Sequence, residues 1–253
     1  MHSPQLNWLL AQLPEVDYER LMPHLELVGL DTGKQLFHTG QRHTDFFFPT
    51  TCTISAQIEL EQGDTADIFL LGSCGLFGTG TIQRGAFFKA IVRKPGFAYR
   101  CPAETYMQEM TRGGGVMMMS LMAMRIIMEQ MATNISCRTF HSINQQVARW
   151  LISYGQGEPV DTINITHGEL AIALDVRREA VTLALNEAER RGCVSLNRGH
   201  IKVLDYAVLK GLACACQTEP TLNKLWSDKE LKGISDVPSV LAQMAKQTKS
   251  RRR

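Results

Sequence analysis

The residues best suited to chemistry lie close together: Arg177, Arg178 and Glu179, followed at helical spacing by Thr182 and Asn186. A guanidinium offers parallel donors that match the edge of guanine, and a carboxylate accepts from the cytosine amino group. Upstream, Thr166 stands before His167-Gly168-Glu169, and downstream Arg198 and His200 flank Gly199. A hydroxyl at a helix start and basic residues at a hairpin tip are groups that hold phosphates. The chemistry these residues suit is the noncovalent reading of a nucleic acid. No nucleophile–base pair, metal triad or phosphate loop accompanies them, so an enzyme is not expected.

The elements that must position these groups are legible around them. Thr166 and Glu169 form a Thr-x-x-Glu capping box that starts a short helix with Leu170, Ala171 and Leu174 on one side. Asp175 falls where a tight turn needs a residue that tolerates the left-handed region. A second helix is predicted from Arg177 to Arg191, with Ala180, Val181, Ala184, Leu185 and Ala188 inward, closed by Gly192. Cys193 to Leu196, a turn at Asn197-Arg198-Gly199-His200, and Ile201 to Leu204 read as a hairpin. Two short helices and a basic-tipped hairpin describe a winged helix-turn-helix.

Two further regions precede it. From about Val28 to Cys101, short apolar runs recur near every ten residues between glycines, which predicts an antiparallel β-roll or sandwich. Met117, Leu121, Met124, Met128, Met131 and Ile135 then repeat at alternating spacings of four and three. That is a coiled-coil seam, and such a seam needs a partner helix to bury it. Ala123 and Ile127 add a second stripe for packing on the chain's own roll. Cys137 to Ser142 reads as a hinge before a helix from Ile143 to Ser153. The expected fold class is α+β: an N-terminal antiparallel β-roll (1–115), a long dimerisation helix and hinge (116–140), a winged helix (141–216) and a basic, disordered tail (217–253).

Composition limits the alternatives. Hydrophobic residues make up 44% of the 253, and charged residues 21%, which is ordinary for a globular chain. The net charge of +2 is too small for a general nucleic-acid coat, so contact must come from a local patch. No signal peptide and no membrane span are expected. Seven scattered cysteines favour reduced thiols in a cytoplasm. Cys52, Cys74 and Cys101 read as small core residues. Cys214 and Cys216 could join Cys193, but Cys-x-Cys is a weak signal, and no metal site or cofactor is assigned.

Three stretches carry a resemblance: Gln146-Val147-Ala148-Arg149-Trp150-Leu151, Thr166 to Ala171, and Val176-Arg177-Arg178-Glu179-Ala180-Val181. With the roll and the long helix before them, they are similar to the Crp/Fnr superfamily of bacterial transcription regulators, over roughly residues 6–216. The resemblance implies an Arg-Glu pair that reads DNA, here Arg178 and Glu179. Many members carry a further Arg where this chain has Leu183, with Thr182 beside it, so its operator should differ from the best-known one.

The resemblance also implies a cyclic-nucleotide cassette in the roll, and this chain departs from it. Gly78 is followed by Thr79 where Glu is expected, Phe88 stands where Arg is expected, and Lys89 or Arg84 is the nearby cation. Asn134 and Ile135 replace the usual Thr-Ser pair on the long helix. Gly78, Thr79, Phe88, Lys89 and Asn134 would line an effector pocket, but weak or absent cyclic AMP binding is expected. With no cysteine before Cys52, the iron–sulfur cluster of oxygen-sensing members is not expected either. The implied partners are double-stranded DNA, a second copy of the chain and RNA polymerase. The rival reading is a small-molecule or cyclic-nucleotide sensor whose output is protein contact.

Overall fold

A computed structural model of the chain describes residues 2–61, 63, 65–78, 85–155 and 159–216. Thr79, Arg84 and the basic tail therefore lie outside the described residues. Two short helices come first, α1 (Trp8–Ala11) and α2 (Glu15–Leu21). Seven strands follow: β1 (Glu26–Leu30), β2 (Gln35–Phe37), β3 (Asp45–Pro49), β4 (Thr53–Glu59), β5 (Thr65–Leu71), β6 (Lys89–Lys94) and β7 (Gly96–Pro102). They pair antiparallel in two sheets, β1-β7-β3 and β2-β6-β4-β5. The mixed architecture expected from the sequence holds. Neither β1 nor α3 (Ala103–Thr111) was among the elements expected from the sequence.

Phenylalanines fill the interior of the roll. Phe37, Phe46, Phe48, Phe69, Phe77 and Phe88 are all buried there. The Phe46 ring stacks on Tyr106 of α3 with centroids 4.0 Å apart. The Tyr106 hydroxyl donates to Ser120 Oγ (2.6 Å), which donates in turn to the Val116 carbonyl (2.9 Å). This chain of bonds satisfies a buried phenol and fastens α3 to the next helix.

That helix, α4 (Gly115–Phe140), runs for 26 residues, about 39 Å at 1.5 Å per residue. Val116, Met119, Met122, Ala123 and Ile126 are buried against the roll. The hinge is narrower than expected. Cys137 still belongs to α4, and the break is confined to His141 and Ser142. Ser142 then starts α5 (Ile143–Tyr154) with a capping box to Gln145, which accounts for the sharp restart.

The remaining elements are β8 (Thr162–Asn164), α6 (His167–Leu174), α7 (Arg178–Arg190), β9 (Val194–Asn197), β10 (His200–Val203) and α8 (Tyr206–Leu212). They enclose a second core, in which Trp150, Tyr154, Ile163, Leu170, Val181, Leu185 and Leu209 are buried. The β8-β10-β9 sheet backs the hairpin.

Polar bonds join the two cores. Arg138 donates to the Asp67 carbonyl (2.9 Å), and Thr53 Oγ1 donates to the Tyr154 carbonyl (3.1 Å). The Asp67 carboxylate takes both oxygens to Arg93, at 3.0 and 3.1 Å, and accepts from Gln57 Nε2 at 2.9 Å. Removing a buried carboxylate leaves its guanidinium uncompensated, which costs about 3–5 kcal/mol. Asp67→Ala is expected to lose stability of that order in urea unfolding, with Gln57→Ala losing less.

Candidate nucleic-acid interface

The helix pair forms for local reasons. Glu169 N–H donates to Thr166 Oγ1 (3.1 Å), and Thr166 N–H donates to Glu169 Oε2 (2.8 Å), so the capping box closes as expected. Asp175 ends α6 at φ 56°, ψ 50°, and is the only non-glycine residue with positive φ among those described. Arg177 is the N-cap of α7 and makes no side-chain capping bond, so the first N–H groups of α7 face outward unpaired by it. Val181, Ala184, Leu185 and Ala188 bury the inner face of α7.

Arg177, Arg178, Glu179 and Asn186 are exposed, and Arg198 is exposed at the hairpin tip, where Gly199 takes φ 79°. Among the described residues, Arg177, Arg178 and Arg198 have no carboxylate at ion-pair distance, whereas Arg190 and Arg191 both pair with Glu187. Free cations are therefore concentrated at the start of α7 and on the hairpin, away from its far end.

Three other predicted contact residues already have partners. The Thr166 hydroxyl is held by Glu169. Thr182 Oγ1 donates to the Arg178 carbonyl (3.0 Å) and lies 2.9 Å from His167 Nδ1. This bond bridges α6 and α7. Burial, and then the Arg178 charge, hold the His167 pKa below its ordinary value. His200 Nδ1 lies 2.7 Å from Asn164 Oδ1 and ties the hairpin to β8. Leu183 is 71% exposed on the same face of α7. Its sequence signal was an apolar residue at a position where an outward-facing polar group was expected.

Four of the five expected effector residues are described. Phe88 is 3% exposed and packs on Phe37 and Phe69 in the roll core. Lys89 pairs with Glu59 at 3.5 Å. Gly78 adjoins Phe46 and His43, with φ 128°. Asn134 sits at the junction of the cores, where its Nδ2 donates to the Ile68 carbonyl (2.9 Å) and its Oδ1 accepts from Arg149 (2.7 Å). The cavity there is about 30 Å³ and is lined by Asp67, Asn134, Arg138, Gln146 and Arg149 among others. Gln146 Oε1 and Arg149 Nε are buried without partners in it. It has room for about one water.

On α4, Met117, Leu121, Met124, Met128 and Ile135 are exposed, with Met128 at 67% and Ile135 at 64%. Met131 differs, being half-buried against the roll core. Phe140, outside the predicted seam, is also exposed. Among the described residues no helix is long and apolar enough to cross a membrane.

The cysteines are arranged differently from the grouping read in the sequence. Cys193 is buried in the second core, where its Sγ donates to the Ala188 carbonyl (3.1 Å). The neighbours of Cys214 and Cys216 are instead Cys137 and His141. A chain fold brings these together across a separation that no local pattern spans.

Comparison with known proteins places this geometry. Residues 145–212 match the model of the Crp-like helix-turn-helix domain. A search of curated proteins by sequence found no match. A Crp/Fnr-family transcriptional regulator from Eubacterium rectale superposes with a TM-score of 0.65 at 20% identity, covering 82% of this chain and 98% of that one. FixK2 from Bradyrhizobium japonicum gives 0.62 at 11% identity, covering 76% and 99%. The c-di-GMP-responsive global regulator CLP from Xanthomonas campestris gives 0.60 at 13% identity, covering 76% and 100%. The chain thus carries a Crp-like helix-turn-helix domain on the fold of the Crp/Fnr regulators, as the resemblance implied.

The turn provides a direct check on the local account. Asp175→Gly is expected to leave the melting temperature nearly unchanged. Asp175→Val forces a β-branched residue into the left-handed region, at a cost of about 1–2 kcal/mol. Thermal unfolding monitored by circular dichroism measures both.

Proposed function

We propose that the protein is a sequence-specific DNA-binding transcription regulator that acts as a homodimer on a palindromic site. The observation that carries this reading is the cluster of exposed, unpaired guanidiniums at the start of α7, next to Glu179. Arg178 and Glu179 supply the guanine-reading donors and the cytosine-reading acceptor. Arg177, the α7 N-terminus and Arg198 hold phosphates. Thr166, Thr182 and His200 contribute mainly by holding α6, α7 and the hairpin in register, and Asn186 extends the polar face. Leu183 is suited to the methyl group of thymine. Double substitution Arg178→Ala/Glu179→Ala should lower specific affinity at least tenfold in fluorescence anisotropy, and Leu183→Ala should relax selection at one base pair. Unchanged affinity in the double variant would refute the assignment.

Met117, Leu121, Met124, Met128 and Ile135 form the dimer seam in this reading, with Met131 shared between seam and roll. An exposed row of large apolar side chains over most of a 26-residue helix is what a partner helix covers. Two copies would set their α7 helices about one DNA turn (~34 Å) apart. RNA polymerase is the expected protein partner, and the cytoplasm the expected compartment. Cyclic AMP is not the effector in this reading, because Phe88 is buried where the phosphate-binding guanidinium would stand and Lys89 is paired with Glu59. Leu121→Asp with Met128→Asp is expected to give monomers in sedimentation and to lose palindrome binding. A dimer that survives both substitutions would move the interface elsewhere.

A further inference from the structure

The four side chains Cys137, His141, Cys214 and Cys216 each offer one ligand atom, and these atoms all lie within 4.8 Å of one another. Cys137 is on the last turn of α4, His141 is at the hinge, and Cys214 and Cys216 follow α8. Cys137 Sγ and Cys214 Sγ are 3.5 Å apart, and Cys216 Sγ is 3.4 Å from His141 Nδ1. A tetrahedron on Zn–S bonds of about 2.3 Å and a Zn–N bond of about 2.0 Å has S–S edges of about 3.8 Å and S–N edges of about 3.5 Å. Both measured separations are within a few tenths of an ångström of those edges. From this cluster we propose a structural zinc site, Cys137-His141-Cys214-Cys216, that clasps the end of the winged helix to the hinge.

The surroundings support a metal rather than four idle side chains. Cys137 and Cys214 are buried and His141 and Cys216 half-buried, so four protein ligands close the site and leave no open position. Zinc with three thiolates and a neutral imidazole carries one net negative charge. Arg149 is 7% exposed and has no carboxylate at ion-pair distance among the described residues. An anionic site beside it would balance that buried charge. Gln146 Nε2 donates to the His141 carbonyl (2.8 Å) and fixes the backbone that carries the imidazole. The site closes a loop of 77 residues between Cys137 and Cys214, which encloses α5 to α8.

Metal analysis of the full-length chain, purified under reductant without chelator, is expected to find one zinc per chain. Titrating the metal-stripped chain with cobalt(II) is expected to give the strong visible absorption of tetrahedral cobalt with thiolate charge transfer, saturating at one equivalent. Cys214→Ser/Cys216→Ser should abolish both signals, and Cys74→Ser should leave them. Folded, reduced chain with no zinc and no tetrahedral cobalt spectrum would overturn the proposal. So would zinc retained by the double variant, or a Cys137–Cys214 disulfide that persists with zinc present. The cobalt titration needs no variant to fold. Neither measurement involves DNA, so failure here leaves the proposed DNA reading standing.

Discussion

A long helix with two apolar faces sets the terms for this molecule. One face of α4, from Val116 to Ile126, completes the roll core. The opposite face holds Leu121, Met124 and Met128 in solvent, because the roll can cover only one side of a cylinder. Exposed apolar rows of this kind mark surfaces meant for a partner. The same helix then carries Asn134 and Arg138, whose bonds connect the roll to the winged helix. Whatever fixes α4 therefore fixes where α7 points.

The join between the cores differs in character from either core. Beside the packing of Leu70 against the second core, it has oriented hydrogen bonds at Asn134, Arg138 and Arg149, which line a water-sized cavity, and at Thr53. Each such bond contributes only about 1 kcal/mol net, yet each demands one geometry. The cysteine–histidine cluster lies at the same hinge. A metal there would add a constraint that does not depend on the cavity bonds.

Features that depend on neighbours in sequence were legible. The Thr166–Glu169 box, the left-handed Asp175 and the exposed apolar row of α4 each express a backbone or periodic rule within a few residues. Features that depend on the tertiary fold were not. Nothing near Cys214 indicates Cys137, and Thr182 and His200 read as free contact groups until their partners His167 and Asn164 are seen. The start of β1 carries little sequence signal, because only Leu30 of its five residues is buried. Phe88 shows both sides: its identity already argued against a phosphate site, but only the structure shows it spent on the roll core.

The central claim is that paired α7 helices read a palindrome without cyclic AMP. Selection of bound duplexes from a random pool by the purified chain, with and without cyclic AMP, tests it most directly. The account predicts an inverted repeat with half-sites centred about one turn (~10 bp) apart, enriched equally in both arms. Enrichment of a lone half-site, enrichment only with cyclic AMP, or no enrichment at all would contradict it.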